Sequence, residues 1–140
     1  MNREISIHFK EMKQLIILES ALRIDFNRKD SYGDTAFHYI CLTGNSELVN
    51  LFIENAVALS IDFNIRNNDG MTGFHIVCEG GLSDAVKIIM ENAATLNIDL
   101  NRRDKNGHTA FYLAYKNGKS DVVNIIMRNA ADLSNWFISL

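Results

Sequence analysis

Two histidine–cysteine pairs in this chain have residue types and a spacing that could support metal binding or catalysis. His38 precedes Cys41 by three positions, and His75 precedes Cys78 by the same interval. Imidazole nitrogens and thiolates are ligands that zinc prefers in proteins, so two such pairs on helices would suggest a zinc site. A cysteine with a histidine is also the combination of nucleophile and base in a cysteine hydrolase.

The rest of the sequence offers little support for catalysis. The only glycine pair, Glu79-Gly80-Gly81, lacks the Lys and the Ser or Thr that would follow in a phosphate-binding loop. The serines stand at turns and at predicted helix starts, where capping of the helix explains them. A hydrolase is therefore the least favoured of the functions considered.

The composition is typical of a globular protein and limits the partners. The 140 residues suit one domain, and 47% of them are hydrophobic. The formal net charge is −3 and there is no basic block, so neither nucleic acid nor an anionic membrane is expected as a partner. No apolar run approaches the roughly 18 residues of a membrane span. With no secretory signal and only two cysteines, we expect a cytoplasmic or nuclear protein.

The chain repeats itself every 37 residues. Three segments align without a gap, namely Asp25–Ile61, Asp62–Ile98 and Asp99–Asn135, and the last two are identical at 17 of 37 positions. The columns shared by all three segments include Asn27, Asn64 and Asn101; Gly33, Gly70 and Gly107; Thr35, Thr72 and Thr109; Phe37, Phe74 and Phe111; and Gly44, Gly81 and Gly118. A fixed period of this length indicates a repeat architecture.

Each unit is predicted to contain a turn, a short helix, a second turn and a longer helix. In the middle unit, Asn67–Gly70 has residue types that favour a turn. Thr72 is placed to cap the short helix, and Gly81 is placed to end it in a left-handed conformation. Ser83 is predicted to cap the second helix with its hydroxyl, and Val86 begins an apolar stripe at helical spacing.

Stacking follows because a single unit cannot bury the apolar faces of both its helices. We therefore predict an all-α solenoid in which Glu11–Leu22 is the second helix of an incomplete first unit. The predicted organisation is one domain over residues 1–140, with a partial unit at 11–24, full units at 25–61, 62–98 and 99–135, and a tail at 136–140.

The same stacking argues against a joint zinc site. Equivalent helices of packed units lie roughly 10 Å apart, which is too far for one metal ion to bind both His–Cys pairs. That separation also excludes a Cys41–Cys78 disulfide, which needs Cα atoms within about 7 Å. We predict buried structural roles for both pairs, with no catalytic residue, no metal and no cofactor.

Three stretches resemble the signature of the ankyrin-repeat family, which is Asp, two variable residues, Gly, one variable residue and Thr-Pro-Leu-His. They are Asp30–His38, Asn67–His75 and Asp104–Tyr112. The signature proline is replaced by Ala or Gly and its leucine by Phe. The resemblance implies that the histidines of the first two stretches pack inside and bond to Thr35 and Thr72, whereas Tyr112 leaves no such histidine in the third.

The resemblance also implies a function, which is binding of a partner protein through a concave face made of hairpin tips and first helices. Within the repeating frame, the polar and aromatic residues that do not repeat concentrate there. The predicted partner-binding residues are Tyr32, Asp34, Thr43, Asn68, Asp69, Met71, Glu79, Lys105, Asn106, His108, Lys116 and Asn117. A structural segment of a larger repeat assembly is the alternative function, and an engineered binder on this scaffold is a further one.

The apolar tail, Trp136–Leu140, leaves three interpretations open. It folds back as a cap, it pairs with another chain, or it belongs to a longer array. We favour the cap because Trp136 is large enough to cover exposed core, and we therefore expect a monomer rather than a homo-oligomer. Tyr115, which stands where the first two units have cysteine, is expected to pack against this C-terminal part.

Overall fold

The computed structural model describes residues 10–16 and 24–129, and its helices come in pairs. Residues 10–16 are helical and are called α1. The other helices are α2 (Ala36–Thr43), α3 (Ser46–Glu54), α4 (Gly73–Glu79), α5 (Ser83–Asn92), α6 (Ala110–Lys116) and α7 (Ser120–Asn129). The described residues contain no strand. Residues 17–22 of the predicted first helix and the tail 136–140 lie outside the described residues.

The paired helices form two layers. The first helices α2, α4 and α6 contact one another in succession, as do the second helices α3, α5 and α7. Each first helix also contacts the second helix of its own unit. This arrangement confirms the predicted all-α solenoid. A single core runs along it. The apolar stripe residues of the predicted second helices are buried, apart from Met90 and Val123, which are half-buried.

The hairpin turn of the first unit is stabilised by a side chain that accepts hydrogen bonds from backbone N–H groups. Asp30 Oδ1 accepts the N–H groups of Tyr32 and Asp34, each at 2.9 Å. Gly33 completes the turn at φ 77°, where a Cβ would also lie 2.7 Å from the backbone nitrogen of Asn68. Glycine is therefore required twice, for the left-handed conformation and for the close approach of the next hairpin.

Successive hairpins are joined tip to tip through the backbone. The N–H of Asn68 donates to the carbonyl of Tyr32 at 3.0 Å, and the N–H of Lys105 donates to the carbonyl of Asp69 at 3.0 Å. These bonds fix the register of the hairpins, so the side chains at their tips are held on one preformed surface.

A second connection between units uses the repeated asparagine column. Asn27 donates its Nδ2 to the carbonyl of Ser60 and accepts the N–H of Asp62, both at 2.8 Å. Asn64 repeats both bonds with Asn97 and Asp99, at 2.9 and 2.7 Å. The column requires an amide because the side chain must donate and accept at once.

The prediction that Ser83 caps the second helix is wrong. Helix α5 begins at Ser83, so the cap position belongs to Leu82, which makes no side-chain cap bond. In the first unit the cap is Asn45, whose Oδ1 accepts the N–H groups of Glu47 and Leu48 at 3.0 and 3.3 Å. The left-handed Gly81, at φ 70°, lies where it was predicted, but Leu82 directly after it is already the cap residue, so the repeated serine is the first residue of the helix.

The packing between α2 and α4 is limited by Gly73. A Cβ at this residue would lie 2.4 Å from the ring of Phe37 and 2.8 Å from Sγ of Cys41. Phe37 is held in turn by the ring of Phe63, at a centroid distance of 4.7 Å and an interplanar angle of 81°. The edge-to-face geometry leaves little freedom for the ring to move away.

We predict that Gly73→Ala destabilises the protein by about 1–3 kcal/mol, even though alanine is the better helix former, because the added methyl overpacks this contact. Urea unfolding followed by circular dichroism measures it. The matched change Ala36→Gly, at the equivalent position of the first unit, should cost about 1 kcal/mol through helix propensity alone. A more stable Gly73→Ala variant would contradict the packing argument.

Candidate functional site: an exposed face built from hairpin tips and first helices

The first His–Cys pair is built into the interface between units. His38 is 1% exposed, and its Nδ1 lies 3.0 Å from the backbone nitrogen of Thr35 and 2.9 Å from the threonine hydroxyl. Its Nε2 lies 2.8 Å from the carbonyl oxygen of Met71 in the next unit. Because a carbonyl only accepts, Nε2 must carry the proton and Nδ1 must accept the Thr35 N–H. His38 is thus a neutral bridge between units.

The second pair repeats this geometry. His75 Nδ1 accepts the N–H of Thr72 at 3.1 Å, and Nε2 donates to the carbonyl of His108 at 3.0 Å. Burial is the largest influence on His75 and lowers the pKa of its imidazole. In the third unit, Tyr112 keeps only a backbone bond, from its N–H to the hydroxyl of Thr109 at 3.2 Å. The predicted Thr–His bonds are confirmed in the first two units.

The cysteines are packed rather than reactive. Cys41 and Cys78 are free thiols with no exposed surface, and burial raises the pKa of both. A thiol held in its neutral form is a poor nucleophile and a poor metal ligand. Across residues 10–16 and 24–129, no three side chains of His, Cys, Asp or Glu are grouped to hold a metal ion. The predicted burial of both pairs is confirmed.

The surface that remains for function is the inner face, defined as the hairpin tips together with the exposed side chains of α2, α4 and α6. Large apolar side chains stand exposed on it. Their exposed fractions are 71% for Tyr32, 46% for Tyr39 and 58% for Leu42. Tyr112 and Tyr115 of α6 are also exposed, at 40% and 68%, but they stand where His38 and Cys41 contact the next unit and are not counted in the inner face. Single exposed apolar residues are ordinary on a protein surface, but several along one face mark an interaction site.

A groove crosses the inner face between the first and second full units. Its apolar lining, called the floor, includes Leu42, Met71 and Ile76. Two acidic lining residues, called the rim, are Asp34 and Glu79. The groove is open and has a volume of about 460 Å³, which suits side chains of a docked segment better than an enclosed small molecule.

The comparison with protein families agrees with this geometry. The model of a family described as ankyrin repeats (3 copies) matches residues 7–99 and 56–135, and therefore most of the chain. The chain belongs to the ankyrin-repeat family. Ankyrin repeats are generally protein–protein interaction modules and are typically non-catalytic. No curated protein sequence matches this chain.

Among solved structures, this ankyrin-repeat chain is similar to the crystal structure of the ankyrin repeat domain of Bcl-3, described as a unique member of the IkappaB protein family. The two share 18% sequence identity with a TM-score of 0.76. The match covers 89% of this chain and 53% of the other, so the chain spans about half the length of that domain. The likeness shows the fold.

Membrane insertion has no support from the described helices of this ankyrin-repeat chain. None of the helices within residues 10–16 and 24–129 combines the length and apolar character needed to cross a bilayer.

Four of the twelve predicted partner-binding residues have side chains that bond to a backbone carbonyl or to the side chain of Asn67. Asn68 donates its side-chain amide to the carbonyl of Ser31 at 2.9 Å, and the Asp34 carboxylate accepts from the side chain of Asn67 at 2.9 Å. The other two stabilise helix ends. The Thr43 hydroxyl donates to the carbonyl of Ile40 at 2.6 Å, and the side-chain amide of Asn117 donates to the carbonyl of Leu113 at 2.7 Å.

The remaining eight predicted residues divide by exposure. Asp69 and Lys105 are exposed and form an ion pair at 2.6 Å between hairpin tips. His108 is half-buried, and its ring lies against that of Tyr112 at 4.4 Å. Tyr32, Glu79, Asn106 and Lys116 are exposed on the inner face, and Met71 is half-buried in the groove. Their role in partner binding stays a prediction.

Two exposed side chains of the inner face, Tyr39 and Leu42, were not among the predicted partner-binding residues. Tyr39 stands in the same column as Ile76 and Leu113, which are half-buried and buried, so its column gave no sign of its exposure. The column of Leu42 holds Glu79 and Lys116, and an apolar residue in a polar column is the signal that could have found it.

We predict that stability falls below about pH 6.5 partly through His75. Because the folded-state pKa is lowered from 6.5, the unfolded state takes up the proton first as the pH falls. The contribution of neutral His75 is therefore complete above pH 6.5 and is lost as the pH falls towards its folded-state pKa. Urea unfolding at pH 7.5, 6 and 5 measures this. His75→Gln should be less stable at pH 7.5 by about 1–3 kcal/mol and should depend less on pH. Equal pH dependence in both proteins would contradict the assignment.

We predict that Tyr39→Phe raises the pKa of Asp30. The hydroxyl of Tyr39 donates to Oδ2 of Asp30, and this bond is the largest cause that lowers the pKa of Asp30 and raises that of Tyr39 to about 12. Titration of the carboxyl carbon by nuclear magnetic resonance (NMR) measures the change. Tyr32→Phe is the matched control, because Tyr32 bonds Asp30 through its backbone only. An unchanged Asp30 titration in Tyr39→Phe would show that the hydroxyl bond is not formed in solution.

Proposed function

We propose that this chain is a non-catalytic module that binds a partner protein through its inner face. The observation that carries the proposal is the apolar groove beside Leu42, set on a surface whose hairpins are bonded to one another through the backbone. A preformed surface loses little conformational entropy on binding, so a few anchoring contacts give useful affinity. Leu42 and Tyr32 have the exposure and apolar area that such anchors need.

The charges around the groove indicate the chemistry of the partner. Asp34 and Glu79 lie at the rim beside the apolar floor. Asp69 also lines the groove, but it is paired with Lys105 at 2.6 Å. A segment that presents apolar side chains flanked by Lys or Arg would fill the floor and complement the rim. Such rim charges act on orientation and association rate more than on total affinity.

Catalysis and cofactor binding have no place in this proposal. The histidines that resemble ligands or bases use both ring nitrogens in bonds that hold the units together. The two cysteines are buried thiols. Free thiols suit a reducing compartment, so we propose a cytoplasmic or nuclear location.

A second candidate function is that of a structural segment within a larger ankyrin array. It is favoured by the aromatic residues Tyr112 and Tyr115, which stand exposed on the third unit at the positions that face the next unit in the first two repeats. In that case the aromatic surface, rather than the groove, would carry the contact.

Site-specific crosslinking tests the first of these functions. A photoreactive residue in place of Leu42 reports on the groove, and the same residue in place of Val57 reports on the connecting loop, where the side chain is 85% exposed. We expect a protein adduct from cell extract at position 42 and none at 57. The partner identified by mass spectrometry is then purified and its affinity measured by calorimetry.

With that partner, we expect Leu42→Ala to weaken binding by about tenfold or more, because it removes an anchor from the floor of the groove. Glu79→Lys should slow association and reduce its dependence on salt, since it reverses the charge of the rim. Val57→Ala is the control and should leave affinity unchanged. Unchanged affinity in Leu42→Ala, or crosslinking from Val57 instead, would reject the inner face as the binding surface.

A further inference from the structure

A second groove, called the basic groove, runs beside the hairpins and is lined by residues of all three full units. It has a volume of about 660 Å³, and none of the described residues that line it is acidic. Its cationic lining residues are Lys29, Arg66, Arg102 and Lys105. Because the formal net charge of the chain is −3, the basic groove is a local reversal of the overall charge.

The basic groove and the groove of the inner face lie on different sides of the same hairpin. In the second unit, Arg66 and Asn68 line the basic groove, Asp69 and Met71 line the groove of the inner face, and Asn67 borders both. The hairpin therefore stands between the two grooves. A ligand in one of them leaves the other open.

The cations of the groove come from a repeated column. Lys29, Arg66 and Arg103 follow one another at intervals of 37 residues, and all three side chains are exposed. Stacking of the units brings together charges that lie a full repeat apart in the sequence. For that reason the linear sequence shows no basic block, although the folded chain has a basic surface.

Two of these cations are held in place by bonds between units. Lys29 Nζ donates to the carbonyl of Arg66 at 2.9 Å, and Arg66 Nη1 donates to the carbonyl of Arg103 at 3.0 Å. The two bonds are equivalent by the repeat, so the two head groups lie one unit apart, at roughly 10 Å. Since their positions are fixed before a ligand arrives, binding costs less side-chain entropy.

The same two cations keep their charge available. Within the part of the chain that the structure describes, neither Lys29 nor Arg66 pairs with a carboxylate. Each uses one N–H donor on a carbonyl, so further donors remain for an acceptor from outside. The other two cations of the groove are already paired, Arg102 with Asp99 at 3.3 Å and Lys105 with Asp69 at 2.6 Å.

The asparagines of the groove are engaged within the protein. Asn27 and Asn64 connect successive units through their side-chain amides. The amide of Asn67 bonds the carboxylate of Asp34 and accepts two N–H groups of its own turn. Recognition is therefore left mainly to the cations, and the ligand that fits is an anion.

The spacing of the head groups fits an extended acidic peptide. An extended chain advances about 3.3 Å per residue, so side chains three positions apart are separated by about 10 Å. Asp or Glu at every third position would thus match head groups that lie one unit apart. An exposed ion pair changes affinity by only a few fold, so such a ligand needs several acidic residues in line.

Nucleic acid fits the basic groove less well. Single-stranded nucleic acids are bound through bases that stack on aromatic rings, and none of the described residues lining the groove is aromatic. The net charge of −3 also opposes the approach of a long polyanion. A short acidic segment is less affected, because charges farther away than about 8 Å are largely screened at physiological ionic strength.

We propose that the basic groove binds an extended acidic segment of a partner protein, in which Asp or Glu at every third position pairs with Lys29 and Arg66. The segment continues towards Arg102 in the third unit. The basic groove is separate from the inner face, so this proposal does not depend on the function proposed above.

Two peptides of equal composition test the spacing. The probe is a fluorescent peptide that repeats Glu-Gly-Ser, and the control peptide has all of its glutamates at one end. Fluorescence anisotropy with the full chain at low ionic strength measures their affinities. We expect the repeating peptide to bind several-fold tighter and to be released by added salt. Equal affinities, or tighter binding of the control peptide, would overturn the proposal.

Variants of the chain test the two cations. Glutamine removes the charge but can still donate to the carbonyl of the next unit. Lys29→Gln and Arg66→Gln should each weaken the repeating peptide several-fold, and together by about tenfold or more. Arg128→Gln is the matched control, because Arg128 is exposed outside the groove and also donates to a carbonyl, that of Asn124. Equal losses in Arg66→Gln and Arg128→Gln would overturn the proposal, since only net charge would then matter.

A further pair of variants separates binding from folding and from the inner face. Arg102→Gln removes a charge of the basic groove without removing a bond between units, and it should also weaken the peptide. Leu42→Ala should leave peptide affinity unchanged, whatever its effect on a partner of the inner face. Unchanged affinity in Arg102→Gln together with a loss in Leu42→Ala would place the peptide on the inner face and overturn the proposal.

Other occupants of the basic groove are tested in the same way. An oligothymidine and vesicles of phosphatidylserine replace the peptide in the binding assay, and light scattering of the chain alone reports on a second copy. Weaker binding of both probes than of the repeating peptide, and a monomer, support the proposal. Tighter binding of either probe, or self-association that Arg66→Gln abolishes, would overturn it.

Discussion

The buried hydrogen bond from each histidine to the carbonyl of the next hairpin is the constraint on which the stack depends. His38 and Thr35 are buried, so their polar groups need partners within the protein. A neutral imidazole satisfies two groups at once, because one nitrogen accepts the Thr35 N–H and the other donates to the Met71 carbonyl. That bond fixes where the next hairpin sits, and so it fixes the line of tips that forms the inner face. The surface available to a partner therefore depends on the buried hydrogen bonds between units.

Much of the fold could be predicted because each repeated column holds a residue type that the backbone conformation or the hydrogen bonds at that position require. Gly33 recurs since only glycine permits the conformation and the close approach, and Asn27 recurs since only an amide donates and accepts there. The cap of the second helix could not be predicted in this way. Its column holds Asn45 in one unit and Leu82 in the next, so the helix start is set by the preceding glycine turn rather than by a repeated side chain.

The candidate site was less predictable because residues that vary between units can be either free or bonded. Asn68 varies within its column and is exposed, yet its amide is engaged with the carbonyl of Ser31. Tyr39 varies too, but its neighbours in the column are apolar, and its exposure depends on the bond that draws its hydroxyl to Asp30. Hydrogen bonds between variable residues leave no trace in a repeat pattern. Exposure and bonding together, rather than variability, single out Leu42 as an anchor.

The third unit shows how the same interface changes when its histidine is replaced. In the first two units the imidazole Nε2 donates to the carbonyl of the next hairpin, at 2.8 Å from His38 and 3.0 Å from His75. Tyr112 has no ring nitrogen that could make this bond, and Tyr115 is 68% exposed where Cys41 and Cys78 have no exposed surface. The third unit therefore keeps the helix pair of the repeat but not the side chains that join one unit to the next. The buried bond between units, rather than the helix pair alone, is what a repeat needs in order to stack in this register.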